Sequence, residues 1–220
     1  MLIRKIKDLG RSLIKTRAPF QSATYWEQRY AAGGNSGYGS YGCLQEFKRQ
    51  TLNELIKELS ISSAIELVCG DGAQLEGVQW PDYTGFDVSH HAVALCANRF
   101  RLDGKKRFLP YSEWDFHKAE AGVSLDVIYH LVEDDVYHEY MRRLFISAKK
   151  FVIIYSTNFE HQSPDTHVRH RHFSHYIASS QPGWRLKSSI PNPYKPASVD
   201  TSYADKSAAD FYVFEARDHE

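Results

Sequence analysis

The stretch Ala64-Ile65-Glu66-Leu67-Val68-Cys69-Gly70-Asp71-Gly72-Ala73-Gln74-Leu75, followed by Tyr83-Thr84-Gly85-Phe86-Asp87-Val88-Ser89, decides how this chain is read. An apolar run breaks at a glycine-rich turn, and a second run ends in an acidic residue. That order predicts a strand, a tight loop, a helix, and a second strand closing on a carboxylate that can grip a ribose. Gly70 and Gly72 let the backbone approach a ligand with no Cβ in the way. Asp87, at the end of the second run, can accept hydrogen bonds from both hydroxyls of a vicinal diol. The expected ligand is therefore a nucleoside-containing small molecule.

The nucleoside is narrowed by one missing residue. A dinucleotide fingerprint places a third glycine three positions after the second, so that the helix start packs on the strand and carries the pyrophosphate. Here that position is Leu75, which disfavours NAD and FAD. The pattern Glu66-x-x-Cys69-Gly70-x-Gly72 instead resembles the first motif of class I S-adenosylmethionine-dependent methyltransferases, usually Glu-x-Gly-Cys-Gly-x-Gly. In that family the loop cradles the amino-acid end of the cofactor, and no pyrophosphate has to be accommodated. Val68 stands where the family has its first glycine, and is expected as the last buried residue of the strand.

A third motif, Val123-Ser124-Leu125-Asp126-Val127-Ile128-Tyr129-His130-Leu131-Val132-Glu133-Asp134, reads as a buried strand ending near Asp126 and then a helix from about 135 to 147. Residues just past the carboxyl end of a parallel strand face the ligand crevice. The phrase resembles the Asp-Val-x-x-His-Leu segment of many small methyltransferases acting on oxygen, carbon or small metabolites. A narrower resemblance joins Tyr25-Trp26-Glu27-Gln28-Arg29-Tyr30, the segment Gly33 to Ser40, the phrase Asp126 to Asp134, and His167-Val168-Arg169-His170-Arg171. Together these look like a bacterial methyltransferase group often associated with surface-glycan biosynthesis.

The resemblance spans residues 24 to 216 and implies a Rossmann-like α/β fold: a mostly parallel seven-stranded sheet, an antiparallel last strand, and helices on both faces. The cofactor implied is S-adenosylmethionine. Its contacts are expected from Glu66, Cys69, Gly70, Gly72, Asp87, Val88 and Asp126, with Trp26 and Arg29 from the preceding segment. Asp115 and Phe116 stand where the superfamily often places an adenine-binding acid beside an apolar neighbour. Asp126 and His130 are the expected catalytic pair. His130 suits a general base because imidazole can be neutral near pH 7, while the alternative is a histidine capping or packing at a helix start. Asp126 would orient the acceptor or contact the methionine portion. Glu66 is either an orienting acid for the glycine loop or an acid paired locally. Glu133 and Asp134 read as helix-start acids favoured by the dipole.

Five of the eleven histidines fall between His161 and His175, interleaved with Arg169 and Arg171. No metal is expected, because three- and five-residue offsets within one element cannot all face one ion and no cysteine lies near. Two readings stay open. In one, His167, Arg169, His170 and Arg171 bind an acceptor carrying phosphate or carboxylate. In the other, they form a solvated helix entrance, with Phe173, Tyr176 and Ile177 packing inward. Asn192-Pro193-Tyr194 is similar to the Asn-Pro-Pro-Tyr motif of amino-group methyltransferases, but lacks the middle proline and falls too near the C-terminus.

The remaining chain is consistent with one domain, residues 44–220, preceded by an N-terminal stretch, 1–43. Hydrophobic residues are 42% and charged residues 25% of the 220, as in a soluble globular protein. Net charge is +0, which disfavours a broad nucleic-acid face. Three scattered cysteines point to a reducing compartment, and neither an export signal nor a run of ~18 apolar residues is visible, so a cytoplasmic location is expected. Residues 1–17 carry apolar positions at helical spacing opposite Arg4, Lys5, Lys7, Arg11 and Lys15, a pattern that docks on the domain or makes at most peripheral contact with an anionic membrane. Gly33 to Gly42 holds five glycines and two serines among Tyr25, Trp26, Tyr30, Tyr38 and Tyr41. That wealth of rings favours a cover over a cofactor, since a plain linker has no use for them.

Overall fold

The computed structural model describes residues 20–198 and 205–217. The basic stretch 1–17 lies outside them. In chain order the elements are α1 (Ser22–Ala31), α2 (Gly42–Glu58), β1 (Ala64–Leu67), β2 (Tyr83–Asp87), α3 (His90–Arg99), β3 (Lys106–Pro110), β4 (Ala119–Leu125), α4 (Asp134–Ile146), β5 (Ala148–Ser156), β6 (His161–Gln162), β7 (Arg169–His170), α5 (Phe173–Ser180), β8 (Trp184–Ile190) and β9 (Asp210–Ala216).

Seven strands form one sheet in the order β3-β2-β1-β4-β5-β9-β8, and β6 pairs with β7 in a separate short ribbon. Strands β1 to β5 pair in parallel, while β9 runs antiparallel to both β5 and β8. This is the mostly parallel, seven-stranded architecture expected from the motifs. β1 and β2 are buried along their whole length, as strands covered on both faces must be. Successive residues point to opposite faces. Leu67, Val152 and Ile154 therefore join Met141, Leu144, Phe173 and Ile177 beneath α4 and α5. Val123, Leu125, Ile153 and Phe211 meet Leu52, Leu55 and Ile56 of α2 on the other face.

Two local expectations are corrected. No α-helix follows the glycine loop; the β1–β2 connection holds only a single 3-10 turn, Ala73–Leu75. Gly77, Val78 and Pro81 crowd that connection with poor helix formers, and α2, arriving before β1, already covers this face. The helical run from His90 to Phe100 leads one to expect Val93, Ala94 and Ala97 inward; in α3 the buried positions are instead Ala92 and Cys96, with Val93 half-buried and Ala94 and Ala97 exposed. Its start is set by Ser89, whose hydroxyl accepts from the Ala92 N–H at 3.1 Å.

The chain lays down β1, β2 and β3 toward one edge and then returns to place β4 and β5 on the other side of β1. The carboxyl ends of β1 and β4 thus flank a topological switch point, where open α/β sheets bind ligands.

Candidate functional site

At that switch point lies a cleft of about 650 Å³ including its mouth. Its floor comes from Val68 and Gly70 after β1, Asp87 and Val88 at the end of β2, and Leu125, Asp126 and Val127 at the end of β4. Its roof comes from Ala23, Trp26 and Tyr30 of α1 together with Ser36 and Ser40. A second cavity of about 930 Å³ adjoins it, lined by Arg29, Tyr38, Tyr129, Asp165, His167 and Lys206 among others. Trp26, Ser36, Asp126 and His130 line both, and so form the wall the two spaces share.

The glycine turn is built from left-handed backbone. Gly70 has φ +63° and Gly72 φ +75°. A Cβ on Gly70 would stand 2.5 Å from Ser36 Oγ and 3.0 Å from Tyr30 Oη; one on Gly72 would meet Cys96 Sγ and the Phe100 ring at 2.9 Å. Gly70 is therefore required by the roof, and Gly72 by the packing of α3. Val68 is not the last strand residue. It adopts φ +64°, the conformation a glycine would supply at no cost, with its β-branched side chain in the cleft. Asp126 also sits left-handed, at φ +59°, which aspartate tolerates better.

Asp87 is 1% exposed. Its two oxygens accept from the Gly70 and Ser89 N–H groups, each at 2.8 Å, which fixes the carboxylate between the glycine turn and α3. Burial pushes its pKa up to about 6 against those two bonds. Each oxygen retains a lone pair for a ligand.

The roof is tied down through Asp71. Its carboxylate accepts from Ser36 Oγ (2.8 Å), Ser36 N–H (3.2 Å), Tyr41 Oη (2.9 Å) and the Ala73 N–H (3.0 Å). Burial works against this charge, but the bonds from Ala73, Ser36 and Tyr41 outweigh it and hold the pKa below the usual range. The glycine-rich segment is thus bonded directly to the glycine turn. At the other end of α1, the Ser22 N–H donates to Glu133 Oε1 at 2.7 Å, and Ser22 Oγ donates to the His130 carbonyl at 3.0 Å. Glu133, expected to serve the start of α4, caps α1 instead.

His130 is enclosed by the rings of Trp26, Tyr129 and His167, with His167 stacked parallel at 5.4 Å. Burial lowers its pKa to about 4, so the ring is neutral at pH 7. Nδ1 lies 3.0 Å from the His167 carbonyl, which can only accept. The proton therefore resides on Nδ1, and Nε2 carries a free lone pair.

Beside it stands a group that sequence reasoning overlooked. Lys48, from α2, is completely buried. Its ammonium donates to Asp126 Oδ2 and Gln74 Oε1 and lies 5.1 Å from the Tyr155 ring. Tyr129 Oη donates to Asp126 Oδ1 at 2.7 Å. The signal was present: Lys48 falls four residues from both Leu44 and Leu52, within the apolar stripe of α2. A lysine there is buried with a partner, or not tolerated.

Other expected residues stand elsewhere. Glu66 lies inside β1, accepts from Tyr83 Oη at 2.6 Å, and is raised to about 7 by burial. It and Cys69 are buried and do not line the cleft; Cys69 packs beneath Gly85. Asp115 and Phe116 are exposed and line neither cavity: Asp115 pairs with His117, and Phe116 rests on Trp114. The loop turns outward here because Trp114 takes the buried position, its indole N–H donating to Ser147 Oγ at 2.9 Å.

Of His167, Arg169, His170 and Arg171, only His167 lines the second cavity, beside Asp165 and Val168. Arg171 is spent on structure, donating to Asp134 Oδ1 (2.6 Å) and to the carbonyls of Leu131 (3.2 Å) and Val132 (3.0 Å), with its guanidinium over the Tyr137 ring. Arg169 donates to the same Asp134 oxygen at 2.9 Å. His170 Nδ1 bonds Thr157 Oγ1 at 2.8 Å. The two arginines brace the loop before α4, His170 ties to the end of β5, and none of the three lines either cavity at the switch point. Phe173 and Ile177 pack inward from α5 with Tyr176 half-buried, but the entrance is not a solvated one, since His170 and Arg171 are buried. Asn192 is likewise structural, donating to the Ser207 carbonyl at 2.8 Å and joining the ends of β8 and β9.

No protein-family model and no curated sequence matches the chain. Solved structures with the same fold do. The N-methyltransferase NodS from Bradyrhizobium japonicum WM9, in complex with S-adenosyl-l-homocysteine, superposes with a TM-score of 0.64 at 13% identity, covering 91% of this chain and 100% of that one. Magnesium protoporphyrin IX methyltransferase (ChlM) from Synechocystis PCC 6803, with bound SAM, gives 0.62 at 12% identity, covering 92% and 100%. A SAM-dependent methyltransferase from Anabaena variabilis ATCC 29413 gives 0.62 at 15% identity, covering 90% and 96%. The fold of this chain is that of the Rossmann-like, class I methyltransferases.

Proposed function

We propose that this protein is an S-adenosylmethionine-dependent methyltransferase acting on a hydroxyl of a small molecule, sugar or glycan. The observation that carries the reading is the pair of cavities meeting at Trp26, Ser36, Asp126 and His130. One space suits the donor, the other the acceptor, and transfer takes place across their common wall.

The donor cleft fits the cofactor on its own chemistry. Asp87 offers lone pairs to a ribose diol, and Val88, Val127 and Leu131 line a slot for an adenine. At Gly70 no Cβ can be present, which leaves the turn bare for the amino-acid end. Trp26 and Tyr30 bring π faces to the side where a sulfonium would lie. A dinucleotide fits poorly, because no helix N-terminus follows the glycine turn to carry a pyrophosphate. The segment 33–42, bonded to Asp71, serves as the cover of this cleft. The volume is within the roughly 300–1,000 Å³ of small-molecule sites.

The bound cofactor supplies a methyl group on sulfur and leaves as a neutral thioether. The protein contributes alignment and a proton acceptor. His130 Nε2 takes the hydroxyl proton. A base with a pKa near 4 suffices because the acceptor oxygen becomes strongly acidic as its new bond to carbon forms. Asp126, gripped by Lys48 and Tyr129, holds the wall in place. An anionic group elsewhere on the acceptor would meet Arg29 and Lys206, neither of which has a carboxylate partner among the described residues. These replace Arg169 and Arg171 in that role.

The test is calorimetric titration with S-adenosylhomocysteine, followed by incubation with labelled cofactor and a panel of sugars. Saturable binding and label transfer are expected. Binding without transfer to any acceptor points to a cofactor-binding protein that has lost catalysis, and absence of binding refutes the assignment.

A further inference from the structure

Around the shared wall the polar hydrogens of Tyr129 and His130 are already committed to hydrogen bonds within the protein. The Tyr129 hydroxyl donates to Asp126 Oδ1 at 2.7 Å. That carboxylate is held on its other oxygen by the buried Lys48 ammonium, so it is an acceptor only. Burial, and then the Asp126 charge, push the Tyr129 pKa well above its ordinary value, so the phenol keeps its proton for that bond. His130 donates Nδ1–H to the His167 carbonyl. What remains free is a phenolic lone pair on Tyr129 and the Nε2 lone pair on His130. The two rings lie 4.6 Å apart, edge to face, and both residues line the acceptor cavity.

Resting on the methyltransferase reading, we infer that the acceptor enters as a donor of two hydrogens, one to Tyr129 Oη and one, from the nucleophilic atom, to His130 Nε2. Two chemical classes meet that requirement: a neutral amine, or a hydroxyl beside a second hydroxyl, as in a sugar diol. A thiolate, carboxylate or phosphate oxygen would face two lone pairs with no hydrogen between them, and the site rejects it. Tyr129 thereby becomes a catalytic residue that touches substrate. Lys48 and Asp126 are positioning residues that keep the phenol pointed away from the acceptor. In the reaction the bond from carbon to sulfur breaks, the bond from carbon to the acceptor oxygen or nitrogen forms, and His130 Nε2 receives the proton. The second hydrogen bond, to Tyr129, orients the nucleophile and transfers nothing.

The experiment uses the full chain with S-adenosylmethionine, offering sugars, vicinal diols and amino sugars against simple thiols and carboxylates that lack hydroxyls. Product is read as S-adenosylhomocysteine and by mass spectrometry. Turnover is expected only with the first group. Tyr129→Phe should lower kcat at least tenfold while S-adenosylhomocysteine affinity changes less than twofold. Lys48→Met strands a buried carboxylate and loses stability; Lys48→Met/Asp126→Asn should recover the melting temperature but not kcat, which separates positioning from folding. If S-adenosylhomocysteine binds but thiols or carboxylates are preferred, or no diol or amine reacts, the inference is overturned. Full kcat in Tyr129→Phe overturns it equally. If the wild-type chain binds no S-adenosylhomocysteine, the methyltransferase reading fails and takes this inference with it.

Discussion

Replacing Asp87 by Asn gives a sharp test of the donor cleft, because two effects of known sign oppose each other. Asp87 is buried, and its pKa stands at about 6 against an ordinary 3.8. A gap of that size corresponds to about 3 kcal/mol. The folded pKa is raised, so this contribution to stability is fully present below the unfolded pKa and is lost as pH rises through 6. At neutral pH the empty cleft thus holds a carboxylate that disfavours folding by an amount on the order of 3 kcal/mol. Asparagine removes that charge. It also offers one acceptor where two backbone N–H groups converge, leaving the Gly70 or Ser89 donor unpaired at a cost of about 1–3 kcal/mol. Near pH 7 the two terms offset, and chemical denaturation should find the variant within about 2 kcal/mol of wild type. Between pH 7.5 and 4 the wild type should gain on the variant by about 3 kcal/mol.

Cofactor affinity should not show that compensation. A diol hydroxyl bonded to a carboxylate contributes about 1.5–3 kcal/mol, so losing this acceptor should weaken S-adenosylhomocysteine binding by roughly one to two orders of magnitude. Because the ligand favours the ionised form, wild-type affinity should itself fall as pH drops below about 6. Calorimetry on wild type, Asp87→Asn and Asp87→Ala measures both. Affinities within threefold across all three proteins, or a stability difference that is flat from pH 4 to 7.5, would refute the role given to this carboxylate.

Gly70→Ala drives a methyl toward Ser36 Oγ and Tyr30 Oη in left-handed backbone; a loss of about 1–2 kcal/mol and weaker S-adenosylhomocysteine binding are expected, read by thermal melts and calorimetry. Arg171→Met leaves the Leu131 and Val132 carbonyls without this donor, and should cost about 2–4 kcal/mol in urea denaturation while leaving acceptor KM unchanged; a selective rise in KM would return Arg171 to the acceptor site. Asp115→Ala and Phe116→Ala, both outside the cavities, should leave cofactor affinity within twofold by the same titration. With His130 lowered to about 4 by burial, kcat should lose its base only as pH falls toward 4; an acidic limb near 6.5 in the kcat profile would show that another group is the base.

The sequence determined the parts that depend on neighbours along the chain. Apolar runs and glycine positions told of β1, β2 and β4, and the acid closing β2 marked Asp87, because strand burial and turn geometry act over a few residues. Even there the missing helix after the glycine turn went unseen, since its face was covered by α2, an element from earlier in the chain. What the tertiary structure alone decided is which polar groups are free. Arg169 and Arg171 looked available for an anion until Asp134 and two carbonyls, 35 to 40 residues away, claimed them. The position of Lys48 within the apolar stripe of α2 implies burial, but its partner Asp126 is fixed only where α2 crosses the carboxyl end of β4. Hydrogen-bond capacity is fixed by residue type, but how it is spent is settled by residues distant in sequence that the fold brings within 3 Å.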